Sequence, residues 1–232
     1  MTEKPILFSS PMVRAILDGT KTQTRRVLKG KKAFADMLCA QHIENVGGWP
    51  IAREYDRSWP IRTGYKPGDR LWVRETWRPR VDPEIWMCVE YQTDGARIKP
   101  CIEDGGQGYR FEQECGSSEP EVPWHDPKKH LRWRPSIHMP RWASRITLLV
   151  KEVRVERLQS ISEEDAKAEG IEAGYLTDLP LYHSGVGRKD VEWTDDPTDA
   201  FAQLWDSING KRPGCSWADN PWVAAISFEV MI

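Results

Sequence analysis

The chain has 232 residues, 39% of them hydrophobic and 29% charged, with a formal net charge of −2. That balance suits a soluble globular protein with a buried core and excludes an intrinsically disordered chain. Any affinity for nucleic acid must come from local patches rather than a global positive field, and no apolar run approaches the roughly 20 residues needed to span a bilayer.

The opening Met1-Thr2-Glu3-Lys4-Pro5 carries no signal-peptide core, so a cytoplasmic protein with no membrane partner is expected. Pro5-Ile6-Leu7-Phe8 reads as a short buried strand. It leads into a helix over 11–18, with Ser10 as N-cap, Pro11 at the first helical position and Gly19 as a left-handed stop. Asp18-Gly19-Thr20-Lys21-Thr22-Gln23-Thr24-Arg25-Arg26 then gathers three threonine hydroxyls, one amine and two guanidinium groups just past the helix C-terminus. Such a cluster suits a polyanion or a polar base; it is equally the composition of a solvated basic loop. Residues 29–66 lose periodicity and read as a surface insertion, with a short helix near 33–40.

Lys66-Pro67-Gly68-Asp69 has proline and glycine at the central positions of a type II turn. It launches a strand from Arg70 to Trp77, in which Leu71, Val73 and Glu75 share one face and Trp72, Arg74 and Thr76 the other. If the first face is the core face, Glu75 points inward; the alternative is a strand-end carboxylate paired with an arginine at the rim. Residues 85–91 are a further strand, followed by a glycine-rich polar excursion.

From Leu131 to Arg145, bulky aromatics alternate with Arg132, Arg134, Arg141 and Arg145. A nucleic-acid surface uses that interleaving, charge for phosphates and rings for bases; so does a tryptophan-packed strand flanked by surface arginines. Between 145 and 156 the apolar positions run Ile146, Leu148, Val150 and then Val153, Val155, a parity switch that predicts a bulge or bend near Lys151-Glu152.

Ser162 caps a short helix stopped by Gly170, and 171–195 read as irregular. Asp196-Pro197 opens a second helix with Phe201, Leu204, Trp205 and Ile208 on its apolar face. The last strand, 222–232, has Ile226, Phe228, Val230 and Ile232 alternating inward.

The five cysteines are odd in number, with no Cys-x-x-Cys pair, so free thiols are expected rather than a disulfide framework. Cys101, Cys115, His125 and His130 fit no zinc-finger or ribbon spacing, and neither metal nor cofactor is expected. The element order lacks regular strand–helix alternation, which points to an α+β fold: a small mixed or antiparallel barrel decorated with helices. A single domain over 1–232 is expected, with insertions near 29–65, 92–130 and 171–195.

Three motifs carry a family resemblance: Gly19-x-Lys21-x-x-Thr24-x-Arg26, Lys66-Pro67-Gly68-Asp69, and Leu71-Trp72-Val73-Arg74-Glu75-Thr76-Trp77. Together they resemble the ASCH family of the PUA-like superfamily. Arg141-Trp142-Ala143-Ser144-Arg145 and the ending Trp205-Asp206-Ser207-Ile208-Asn209-Gly210…Asn220-Pro221-Trp222 look like the ASCH-domain proteins of bacteriophages and prophages. The likeness covers 5–28, 64–77, 133–165 and 222–232. It implies a PUA-like β-barrel with flanking helices, long insertions and a cleft, in a bacterium or phage-infected bacterium. Some bacterial members deacetylate N4-acetylcytidine, while others are reported as ribonucleases or RNA-binding modules. Carried over from the amidohydrolases, the catalytic set is Lys21, Thr24 and Glu75, acting as base, nucleophile and acid. Substrate or nucleic acid is then expected at Arg25, Arg26, Arg74, Trp77, Arg132, Trp133, Arg134, Arg141, Trp142 and Arg145. A modified cytosine nucleoside or RNA is the expected partner. The alternatives to amide hydrolysis are an RNA-binding module without catalysis and a metal-independent ribonuclease.

The chemistry sets two conditions. Residues 20–24 must turn for Lys21 and Thr24 to meet, because positions i and i+3 of a strand face opposite sides. A lysine base must also be largely neutral, which burial or neighbouring cations such as Arg25, Arg26 or Arg74 favour and a close carboxylate opposes.

Overall fold

A computed structural model provides the structure, which describes residues 3–28, 42–55, 57–82, 86–98, 132–176, 179–183 and 193–231. The described residues form a mixed α+β fold made mostly of sheets, with few helices. A five-stranded sheet has the order β1-β6-β10-β13-β2, from strands Glu3–Leu7, Arg70–Arg74, Thr147–Arg157, Trp222–Met231 and Gln23–Val27. No closed barrel is found among the described residues. The chain divides into two compact units: Met1–Lys4, Ala15–Leu71 and Leu148–Ile232 form one, and Pro5–Arg14 with Trp72–Thr147 the other.

Helix α1 spans Ser10–Leu17. Its inward positions Val13 and Ile16, three apart, are 0% and 1% exposed. Gly19 ends it at φ +76°, the left-handed conformation expected of a helix stop. In the first unit, the Gly19 amide then donates to Ile16 O and the Lys21 amide to Ala15 O, at 3.2 and 2.9 Å. The turn is short, and strand β2 begins at Gln23.

That corrects the reading of the basic stretch as a solvated loop. Lys21, Gln23, Thr24 and Arg25 are all buried. β2 pairs antiparallel with β13, Thr24 opposite Ile226 and Arg25 opposite Ala225, so the second half of the stretch is a buried strand at the end of the sheet order.

The region read as an aperiodic insertion contains, in the first unit, an antiparallel meander of β3 (His42–Val46), β4 (Trp49–Glu54) and β5 (Arg57–Pro60). Gly47 and Gly48 join β3 to β4 at φ +58° and +83°, the two positive angles that a two-residue hairpin turn requires. The proposed helix near 33–40 lies outside the described residues. The turn before β6 forms as expected: Gly68 has φ +84° and the Asp69 amide donates to Lys66 O at 3.1 Å.

Strand β10 buries Leu148 and Val150, then Val153 and Val155, with Lys151 and Glu152 intervening outside the core. The parity switch is therefore present where the sequence puts it. Helix α2 (Glu163–Ala168) is capped by Ser162, whose Oγ accepts from the Asp165 amide. Residues 171–195, read as irregular, contain a hairpin of β11 (Glu172–Leu176) and β12 (Leu179–His183).

Helix α3 (Pro197–Asn209) is capped by Asp196, which accepts from the Thr198 amide at 2.7 Å. It buries Phe201, Leu204 and Trp205, whereas Ile208 is 47% exposed. On β13, Ile226 and Phe228 point into the core but Val230 does not. Both exceptions lie at element ends, where burial fades.

The predicted Arg70–Trp77 strand is broken. β6 ends at Arg74, and β7 (Trp77–Asp82) starts a second meander with β8 (Trp86–Tyr91) and β9 (Arg97–Ile98). Its core gathers Trp77, Val89, Tyr91, Met139 and Ala143. The aromatic–arginine stretch is no strand either; it runs through two short 3-10 turns, Ser136–His138 and Arg141–Ala143.

Candidate functional site

Among the described residues each unit buries charged side chains in ion-paired clusters, and the residues expected to carry catalysis are divided between two of these. In the first unit, the Lys21 side chain has no solvent exposure. Its Nζ donates to Glu169 Oε2 at 2.8 Å and to the Glu169 carbonyl at 2.6 Å. Glu169 is the residue that ends α2, and the two backbones also meet there as an isolated antiparallel bridge. Burial pushes the Lys21 amine below its ordinary value; Glu169 opposes this, and the charges of Arg26 and Arg25 reinforce it.

Arg25 extends the cluster from β2. Its Nη2 lies 2.7 Å from both Glu156 Oε1 and Asp165 Oδ2, and its Nη1 donates to Gln23 Oε1 at 2.6 Å and Glu169 Oε1 at 3.3 Å. Arg154 also donates to Asp165. Three cations thus share three carboxylates, and each charge has an opposite neighbour in a region where an unpaired one would be costly. Thr24 is 2% exposed and one position from Arg25, so strand alternation turns the two side chains to opposite faces. The turn falls at Asp18-Gly19 and the chain runs extended from Lys21, so the turn condition is not met: Lys21 and Arg25 both reach Glu169, on the face from which Thr24 points away. Arg26 is half-buried and donates to Arg25 O at 3.4 Å.

In the second unit, Glu75 follows the end of β6 and is 1% exposed, in line with the inward-facing reading. Arg145 grips it with two nitrogens, Nε to Oε1 at 2.9 Å and Nη2 to Oε2 at 3.0 Å. Thr93 Oγ1 donates to Oε2 at 2.9 Å. The same guanidinium reaches Asp94 and lies 4.1 Å over the Tyr91 ring. Burial lowers the Arg145 pKa, but the hydrogen bonds it donates to Glu75 and Asp94 outweigh this and raise it, whereas burial raises that of Tyr91. Tyr91 donates to Ala143 O at 2.9 Å. The rim arginine expected for Glu75 is therefore Arg145, and it is largely enclosed.

The remaining expected binding residues also lie in the second unit. Arg74 sits 4.5 Å over Trp72 and donates to Ile137 O. Trp77 is fully buried, edge-on to Trp142 at 5.5 Å, with Arg134 at 4.9 Å over its ring. Arg141 is half-buried and reaches Thr147 Oγ1 at 3.4 Å. Arg132 and Trp133 face solvent, and the Arg78 guanidinium covers the Trp133 ring at 4.4 Å.

Sequence reading missed Glu156, Asp165 and Glu169 in one cluster, and Asp94 and Thr93 beside Glu75 in the other. One signal was available. Asp165 and Glu169 are four apart just before Gly170, and like charges at that spacing repel unless cations lie against them. No group of His, Cys, Asp and Glu able to hold a metal ion is found among the described residues, and Cys101, Cys115, His125 and His130 lie outside them. No described helix is long and apolar enough to cross a membrane. Comparison with known proteins finds no matching family model, no matching curated protein and no matching solved structure.

Proposed function

We propose that the chain is an ASCH-type, PUA-like protein that hydrolyses the amide of an acylated cytosine nucleoside, with Lys21 as base and Thr24 as nucleophile. The observation that supports this reading is Lys21, an amine without solvent exposure whose pKa is pushed down by burial, against the opposing charge and hydrogen bond of Glu169 and with a lesser push from Arg26 and Arg25. The net lowering brings a lysine toward the neutral form a base needs. A barrel built on the five-stranded sheet belongs to the same proposal.

In this chemistry the Thr24 hydroxyl must turn from its own strand face toward Lys21; its Oγ then bonds to the acyl carbon as its proton passes to Lys21 Nζ. The bond between the acyl carbon and N4 then breaks as the departing amine takes up a proton, and water releases the acyl group from Thr24 as a carboxylic acid. The resemblance gives the acid's part to Glu75, which must first take up a proton in order to donate one; in the second unit Arg145 and Thr93 donate to its carboxylate.

The test is turnover of N4-acetylcytidine by the wild type and by Lys21→Ala, Thr24→Ala and Glu75→Gln, with folding checked by circular dichroism. Loss of a positioned acid or base costs about 10²–10⁴-fold, so each folded variant should fall by that order. Turnover untouched by all three substitutions would sink the assignment.

A second reading rests on Trp133, which stays 38% exposed with a guanidinium stacked on it. An exposed ring beside cations is what a single-stranded nucleic acid stacks against. Salt-sensitive RNA binding that weakens in Trp133→Ala, without turnover of the nucleoside, would favour that reading; RNA cleavage surviving in chelator would favour a ribonuclease.

A further inference from the structure

We propose that Glu169 is a positioning residue for Lys21: it aims the amine and sets the pH at which that amine becomes a base. Its consequence for turnover rests on the reading of Lys21 as the base; its geometric basis does not. Two hydrogen-bond acceptors of one residue, the Glu169 carbonyl at 2.6 Å and Oε2 at 2.8 Å, take two of the three protons of the ammonium. The backbones of the two residues are bridged, so neither end of the contact swings freely. Gly170 makes the approach possible, since a Cβ there would lie 3.2 Å from Lys21 Cβ.

The charges around the pair are few and identifiable. Lys21 faces Glu169 at the end of α2, and Arg25 and Arg26 on β2. Glu169 faces Lys21 through Oε2 and Arg25 through Oε1, and its charge also acts on Arg26. Arg25 is in turn held by Glu156 of β10 and Asp165 of α2. Arg25 therefore has two other carboxylates, which leaves Oε2 of Glu169 directed at Lys21. The Glu169 charge favours the ammonium while burial disfavours it, so this one carboxylate counters the desolvation of the amine. When Lys21 receives the Thr24 proton, the ammonium formed is already paired. Removing the charge makes Lys21 neutral at lower pH, but a weaker base.

The experiment uses the full chain as wild type, Glu169→Gln and Glu169→Asp, with folding verified by circular dichroism. The Lys21 titration is followed by NMR on protein carrying 13C-labelled lysine, the signal assigned by its loss in Lys21→Met. The acid limb of kcat/KM for N4-acetylcytidine is measured on the same preparations. Glu169→Gln should move the Lys21 titration down by about one unit or more, the effect expected of an opposite charge lost at this distance. Glu169→Asp keeps the charge at longer reach and should move it down by less, and the acid limb should follow both. A uniform fall in kcat/KM with an unmoved titration and an unmoved limb is the signature of a purely structural role and overturns the inference. A moved titration in a protein whose wild type turns over no nucleoside overturns the hydrolytic reading and supports the hold of Glu169 on Lys21.

Discussion

Gly170 and Lys21 pack so closely that a methyl group on the glycine would lie 3.2 Å from the lysine Cβ, with Ala15 Cβ at the same distance on another side. Gly170 also has φ +88°, a conformation that L-residues resist. Gly170→Ala should therefore destabilise the fold by about 1–3 kcal/mol, the usual cost of a strained left-handed residue. Urea denaturation measures this, and an unchanged midpoint would contradict the packing.

Arg25 holds three carboxylates with a side chain that has no exposure. Arg25→Met keeps most of the volume and leaves Glu156, Asp165 and Glu169 without that partner. Breaking a buried pair by removing one member typically costs about 3–5 kcal/mol, and a loss of that order is expected here. Adding Asp165→Asn to Arg25→Met should recover part of it, because the amide has no charge left to compensate. A double variant as unstable as the sum of the two singles would show that the groups do not couple.

Acid should weaken the protein through the same groups. Burial pushes the Asp165 carboxyl up, but the hydrogen bond from Arg154 and the charge and hydrogen bond of Arg25 outweigh it and hold the group below its ordinary 3.8. Asp94 behaves alike through Arg145, and Glu90 through Arg78 and Arg80. In the window below the ordinary carboxylate values, the unfolded chain binds these protons before the folded one does. Stability therefore rises with pH across that window, is complete above the unfolded pKa values and is lost as pH falls through the folded ones. Urea midpoints between pH 6 and pH 3 check the slope, which should be shallower in Asp165→Asn than in the wild type.

The Glu75–Arg145 pair predicts an asymmetry. Glu75→Gln leaves Arg145 its contact with Asp94, whereas Arg145→Met strands Glu75, which is 1% exposed, with Thr93 as its remaining donor in that cluster. Arg145→Met should be the more destabilising by about 1–3 kcal/mol, the cost of an unsatisfied buried group. Equal losses in the two variants would mean that Arg145 contributes through packing on Tyr91 rather than through the pair.

Much of this was legible from residues. Pro67 and Gly68 announce their turn, Ser162 and Asp196 their helices, and the parity switch after Val150 marks where β10 turns its other face inward, because each follows from local stereochemistry. Counting alternate positions from Leu71 gave an inward Glu75 as one of two readings, and its 1% exposure decides between them. The burial of Lys21 and Arg25 could not be read in this way. Both look like surface residues until the carboxylates that neutralise them are known, and those stand at 156, 165 and 169. The β3–β4–β5 meander was hidden for another reason: its strands carry charged and aromatic residues without a clean two-residue period, and only Gly47-Gly48 marked a hairpin. The Arg–Trp stretch misled because stacking of arginine on tryptophan serves packing as well as binding, as Arg134 on Trp77 does.

The contacts that hold Arg25 on Glu156, Asp165 and Glu169 close separations of 131, 140 and 144 residues. Loops of that length cost entropy before any contact returns it, so these links belong to the late stages of folding. Interactions absent from the folding transition state act on the rate of unfolding. The ion cluster is then less a determinant of how fast the chain finds its structure than of how long it keeps it.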